Sequence, residues 1–182
     1  MDTSDKPPRK RRPLSLIRLE ADGHISASER KLLAYLRMGV FSEEFLERAL
    51  YGVQRGTLIA SARDAAAIFT PMLAGRSEEA LAVALISGRG ELLESKILTT
   101  GTTHATVFDA AQILRFAFAN ELCRAVIVAH NHPSGNTDPS TQDRAAIRNL
   151  KVVCEAAMMK LHDSIIIAPG GGYSSMSERG EL

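Results

Sequence analysis

His130, Asn131 and His132 open a short run, His-Asn-His-Pro-Ser-Gly, that is followed by Pro139-Ser140 and then Asp143. Two imidazoles, a hydroxyl and a carboxylate thus fall at a spacing that suits one zinc ion. In an extended segment, residues i and i+2 project to the same side. His130 and His132 therefore converge on one ion, and Asn131 points away. Asp143 returns to that ion if the intervening loop folds back and a helix starts near Ser140. Two His and one carboxylate leave a fourth tetrahedral position for water, which is the arrangement of a catalytic zinc site rather than a structural one.

Simpler roles compete for the same residues. Ser140-x-x-Asp143 before an apolar-periodic stretch is also a capping box, which needs no metal. The two roles are compatible, since Ser140 can cap a helix while Asp143 sits in its first turn. A lone His-x-His on a surface is ordinarily a pair of solvated imidazoles. The two features together, joined by the Pro-Ser-Gly loop, favour a metal site. The literal string His-Asn-His carries no weight for HNH-nuclease chemistry, which uses three separated residues on a ββα unit.

The chain that must position these groups has 182 residues, enough for one domain and an appendage. Hydrophobic residues make up 45% of it, which supports a sizeable core, and no apolar stretch approaches the length of a membrane span. The N-terminus lacks an apolar stretch after its basic residues and does not read as a secretory signal. Cys123 and Cys154 lie in separate apolar stretches and read as buried, reduced thiols of a cytoplasmic protein. The net charge of +1 hides an asymmetry. Residues 1–12 hold five basic and two acidic residues, +3, which leaves 17 basic against 19 acidic, −2, for the body. Such a body is not an electrostatic nucleic-acid surface. The tail is expected to be solvated, with at most weak, nonspecific DNA contact.

Residues 1–26 lack periodicity and read as a disordered basic tail. Residues 27–74 read as a helical segment, with helices over Ser28–Leu36, Ser42–Tyr51 and Ser61–Leu73, the last curving or ending near Pro71. From Glu79 the pattern changes. Leu81–Ile86 and Leu92–Leu98, joined by a Gly-rich turn, predict a β-hairpin. Asp109–Leu122 predicts a mostly buried helix, and Ala125–Ala129 a fully apolar strand with the histidines at its C-terminal end, where α/β sheets place ligand sites. A helix from Ser140 to about Met159 follows, with Ile147, Leu150, Cys154 and Ala157 on one face. Ile165–Ala168 reads as a strand and Pro169–Gly172 as a turn. That turn is no phosphate-binding loop, because no Lys-Ser/Thr or GxGxxG pattern accompanies it.

The order His-x-His, seven residues, Ser, two residues, Asp matches the JAMM motif of the JAB/MPN metalloprotease-like family, and HNHPSGNTDPSTQD resembles its RadC branch. The resemblance runs from about Glu79 to the C-terminus. It implies an α/β, MPN-like (cytidine-deaminase-like) mixed sheet flanked by helices over residues 75–182, preceded by a short helical N-terminal segment. Lys31–Gly39 is similar to the start of the small helical domain of RadC proteins, here shortened and without a clear helix-hairpin-helix glycine turn. The resemblance also implies Zn2+ held by His130, His132 and Asp143, Glu79 as general base and Ser140 as oxyanion donor. Glu79 fits the RadC pattern of Glu followed by an apolar strand and a turn and is preferred to its neighbour Glu78, which alternation along the strand would point to the opposite face. The implied activity is hydrolysis of a peptide or isopeptide bond in a peptide or protein substrate by a zinc-activated water.

Two departures from the RadC pattern stand near this set. Asp109-Ala-Ala-Gln112 replaces a Pro-Arg-Glu element, and His162-Asp163-Ser164 replaces Leu-Asp-His. His104 and His162 read as surface residues. A non-catalytic module associated with DNA repair or mobile-element maintenance is the alternative function, resting on the basic tail and the N-terminal helices. A purely structural zinc domain fits less well, given the open fourth position.

Overall fold

The apolar run that follows Glu79 folds as the inner strand of a hairpin, and the remaining sheet is built beside it. The computed structural model describes residues 55–100 and 108–182. Strand β1 (Ala80–Ser87) pairs antiparallel with β2 (Leu92–Thr100) on one side and with β3 (Cys123–Asn131) on the other. β4 (Lys160–Ile167) runs parallel to β3, and the short β5 (Tyr173–Ser175) closes antiparallel on β4. The order across the sheet is β2-β1-β3-β4-β5. A parallel pair needs a crossover, and between β3 and β4 it is the helix Thr141–Ala156. The expected mixed sheet between helices is therefore present, with three helices and five strands among the described residues.

Alternation along the inner strands divides the core into two faces. Ala80, Ala82 and Ala84 of β1 and Ala125, Ile127 and Ala129 of β3 face helix α1 (Ala62–Leu73). Leu81, Val83 and Leu85, with Val126 and Val128, face helices α2 (Ala110–Phe118) and α3 (Thr141–Ala156). Ser61 caps α1 by accepting from the Asp64 N–H, and Pro71 sits in its last turn, two residues before the end. The sequence pattern groups this helix with residues 27–74, yet Ala62, Ala65, Ala66, Phe69 and Leu73 pack into the sheet's own core. Small residues on both sides let the helix lie close to the strands, so α1 is a layer of the sheet domain. The basic tail and the two helices expected before residue 52 lie outside the described residues.

Three expectations need correction. The helix expected over Asp109–Leu122 is shorter, Ala110–Phe118, with Asp109 as its cap. It is not mostly buried: Ile113 and Ala117 are fully covered, while Phe118 and Leu122 are exposed. The strand expected at Ile165 begins five residues earlier, at Lys160. Polar His162-Asp163-Ser164 masked it, but the buried Asp163 carboxylate accepts from Ser175 Oγ (2.6 Å), Ser164 N–H (2.7 Å) and Ser177 N–H (3.0 Å). A buried carboxylate is tolerated when its oxygens are hydrogen-bonded in this way. Helix α3 stops at Ala156 rather than near Met159. Met159 N–H reaches Cys154 C=O and Met158 N–H reaches Glu155 C=O, a Schellman ending with Met158 at φ 54°. Among the described residues, no helix is long and apolar enough to cross a membrane.

Candidate metal centre

The register of the central strands brings the two histidines and the α3 face together. Leu81 of β1 lies opposite His130 of β3, so the His130 side chain leaves the sheet on the side of Leu81, Val126 and Val128, toward α2 and α3. His132 follows on the same side two residues later. Its N–H donates to Ile167 C=O at 3.0 Å, which continues the strand pairing past Asn131.

The loop then turns back. Gly135 N–H donates to His132 C=O at 3.0 Å, and Gly135 adopts φ 85°, a conformation open to glycine without strain. The turn delivers Asn136 C=O to His132 Nδ1 at 2.7 Å. A carbonyl can only accept, so Nδ1 carries the hydrogen and Nε2 of neutral His132 presents its lone pair to the site. At the far end of the loop, Ser140 caps α3 through a complete capping box and Asp143 sits at its third position. The C-terminal turn braces this loop. Arg144 donates to Glu181 (2.7 Å) and to Pro139 C=O, and Arg179 pairs with Asp138 (3.0 Å) and Glu181 (3.0 Å).

Three groups that could hold a metal ion meet here. His130 Nε2 lies 3.0 Å from His132 Nε2 and 3.2 Å from Asp143 Oδ1, and His132 Nε2 lies 3.5 Å from Asp143 Oδ2. A zinc ion with bonds of ~2.0–2.1 Å at tetrahedral angles spaces its ligand atoms about 3.3–3.4 Å apart. The donor set and its spacing therefore fit one such ion. The cluster is deep: His130 is 1% exposed and Asp143 is 5% exposed. His130 packs against the Phe108 ring edge-on at 5.3 Å, and its Nδ1 has no hydrogen-bond partner among the described residues.

Electrostatics favour charged Asp143. Burial opposes its ionisation, but hydrogen bonds from His130, His132 and Ser140 hold its carboxyl well below the ordinary carboxylate range. His132 is raised above its ordinary value. The hydrogen bond to Asp143 does most, burial opposes it, and the Asn136 carbonyl and the charges of Asp143 and Glu79 add to it.

The residues expected to act on substrate are placed as follows. Glu79 immediately precedes β1 and is half-buried, whereas Glu78 is exposed. Glu79 lies two residues before Leu81, the partner of His130, and its charge acts on His132. Ser140 Oγ donates to Asp143 Oδ2 at 2.6 Å, so its hydrogen is engaged within the capping box. His162 is exposed; His104 lies outside the described residues. The sequence reading missed the Asn136 carbonyl, which leaves no side-chain signal. It also missed the Asp163 hub and the part played by Asn131, which is buried on the opposite face.

The model of the RadC-like JAB domain family matches residues 59–181. A UPF0758 protein of Acidovorax sp. (strain JS42) is 36% identical over 109 residues, covering 59% of this chain and 44% of that protein. One from Xanthomonas oryzae pv. oryzae (strain PXO99A) is 32% identical over 130 residues, 71% of this chain and 57% of its own length. One from Porphyromonas gingivalis (strain ATCC BAA-308 / W83) is 31% identical over 124 residues, 68% and 54% respectively. The chain spans about half the length of the curated relatives it matches.

Proposed function

Because the chain belongs to the RadC-like JAB domain family, we propose that its sheet domain is a zinc-dependent hydrolase of peptide or isopeptide bonds, with a peptide or protein as substrate. The observation that carries this reading is the convergence of His130, His132 and Asp143 within ligand distance of one another, at the end of the strand that pairs with the one Glu79 precedes. Zinc, when bound, lowers the pKa of a coordinated water towards ~7, so that hydroxide is available at neutral pH.

The remaining work falls to the chain's own groups. His132 is held by Asn136 in the tautomer that offers Nε2. Asp143 stays charged through its histidine and Ser140 hydrogen bonds. Glu79 takes a proton on its carboxylate and returns it to the leaving amine. Ser140 first holds Asp143. It donates to a developing oxyanion only by turning its hydroxyl hydrogen away, and Asp143 Oδ2 then keeps the Ser140 N–H bond of 2.7 Å. The basic residues of 1–12 add weak, salt-sensitive DNA contact in this proposal.

The test has two stages. Protein purified without added metal is analysed for zinc beside Asp143→Ala, with about one zinc per chain expected in the wild type and none in the variant. Glu79→Ala is then assayed on a panel of fluorogenic peptide and isopeptide-linked substrates. It should retain zinc and lose hydrolysis; unchanged turnover would sink the assignment of Glu79. A wild type that takes up no zinc, and binds DNA until residues 1–13 are removed, would support the non-catalytic DNA-associated role instead.

A further inference from the structure

Asn131 stands between the two histidines and faces away from them, into the side of the sheet covered by α1. It is 2% exposed, and a buried amide must find partners for both its donor and its acceptor. It finds them in the segment that carries Glu79. Asn131 Oδ1 accepts from Ala80 N–H at 2.9 Å, and Nδ2 donates to Glu78 C=O at 3.0 Å, with Arg76 C=O at 3.5 Å. The two shorter bonds fall on the residues immediately before and after Glu79. Strand β1 begins only at Ala80, so the backbone of Glu79 is not yet part of the strand. The Asn131 side chain, from the residue between the two histidines, ties both chain neighbours of Glu79 to β3.

We infer that Asn131 is a positioning residue that fixes the Glu79 backbone against the His130–His132 pair and so sets where the Glu79 carboxylate stands relative to the metal ligands. The inference rests on the hydrolase reading for the role of Glu79, but the clamp itself is a property of the fold. It also accounts for an amide at this place. An apolar residue would leave Ala80 N–H and Glu78 C=O without these partners, and a buried carboxylate could accept from the first but repel the second.

The experiment compares wild type, Asn131→Val and Asn131→Asp by NMR, metal-free and loaded with Co2+ as the probe. In Asn131→Val, amide exchange at Ala80 should quicken at least tenfold, while Val83 and Leu85 in the middle of β1 stay protected. In the cobalt-loaded protein, the pseudocontact shifts of Glu79 and Ala80 should fall at least twofold, with those of Val128 and Ile147 unchanged. Asn131→Asp keeps the acceptor for Ala80 and should restore most of that amide's protection. If Asn131→Val does not fold, Asn131→Asp alone decides: Glu79 shifts identical to wild type overturn the inference. Retained shifts and exchange in Asn131→Val overturn it equally. Failure of the hydrolase reading looks different. There, Co2+ does not bind or Glu79→Ala keeps full turnover, while the Ala80 exchange result stands by itself.

Discussion

Ser140 and Asp143 hold each other from both sides. Ser140 Oγ and N–H donate to Asp143 Oδ2 at 2.6 and 2.7 Å, and Asp143 N–H donates back to Ser140 Oγ at 3.1 Å. The same carboxylate offers its other oxygen to His130 at 3.2 Å. Helix cap and candidate metal ligand are thus one structure. The start of α3 orients Asp143, and a partner behind a ligating carboxylate is the kind of contact that tunes metal affinity.

Ser140→Ala tests this coupling. The variant keeps the backbone N–H bond but loses both hydroxyl bonds. It should lose about 1 kcal/mol of stability, as expected for a removed cap, and bind zinc ~10–100-fold more weakly, as for a lost outer-shell partner. Chelator competition reads the second effect. Unchanged zinc affinity would mean that Ser140 acts only as a cap or on the substrate.

Met158 tests the end of the same helix. Its φ of 54° is the left-handed region, its side chain is 93% exposed, and it sits where Schellman endings favour glycine. Met158→Gly should therefore stabilise the protein by about 1 kcal/mol, raising Tm by a few degrees. Met158→Ala, which keeps a Cβ, should give little of this gain. Equal Tm for the glycine variant and wild type would count against strain at this position.

Cys154 carries a pH dependence. Burial, with smaller contributions from Cys123 and Glu155, pushes its thiol up to about 11, and burial raises Cys123 as well. The unfolded thiol ionises near 9.0 while the folded one keeps its proton. Over that window the folded state binds more protons, so stability falls as pH rises from about 9 to 11, by on the order of 2 kcal/mol. Cys154→Val should flatten this decline in denaturant titrations at successive pH values. Both thiols should also resist alkylation in native protein at pH 8 and react fully once it unfolds.

Much of the site is legible in the chain because its spacing is local. His130 and His132 share a side by strand alternation, and Ser140 with Asp143 is a cap signature that helix geometry places within one turn. The hairpin and the strand Ala125–Ala129 are readable from apolar runs bounded by turn residues. Legibility fails where polar residues are buried. Lys160–Ser164 does not look like a strand until Ser175 and Ser177 arrive to satisfy Asp163. Phe118 and Leu122 look like core by type, yet the end of α2 and the turn that follows it leave them exposed. α1 reads as part of the preceding helical segment, because its alanines do not announce the alanines of β1 and β3 that they meet.

The sequence by itself determined the types of the candidate ligands, their order and the side from which two of them project, because those follow from side-chain chemistry and from the periods of strand and helix. Only the tertiary structure decided that Asp143 reaches the histidines, that Asp163 is satisfied by Ser175 and Ser177, and that Asn131 fastens the Glu79 segment to β3. Those three relations depend on the pairing of β1 with β3 and of β4 with β5, and on the return of the chain from His132 to Ser140. All are contacts between residues distant in sequence, set by packing rather than by local preference.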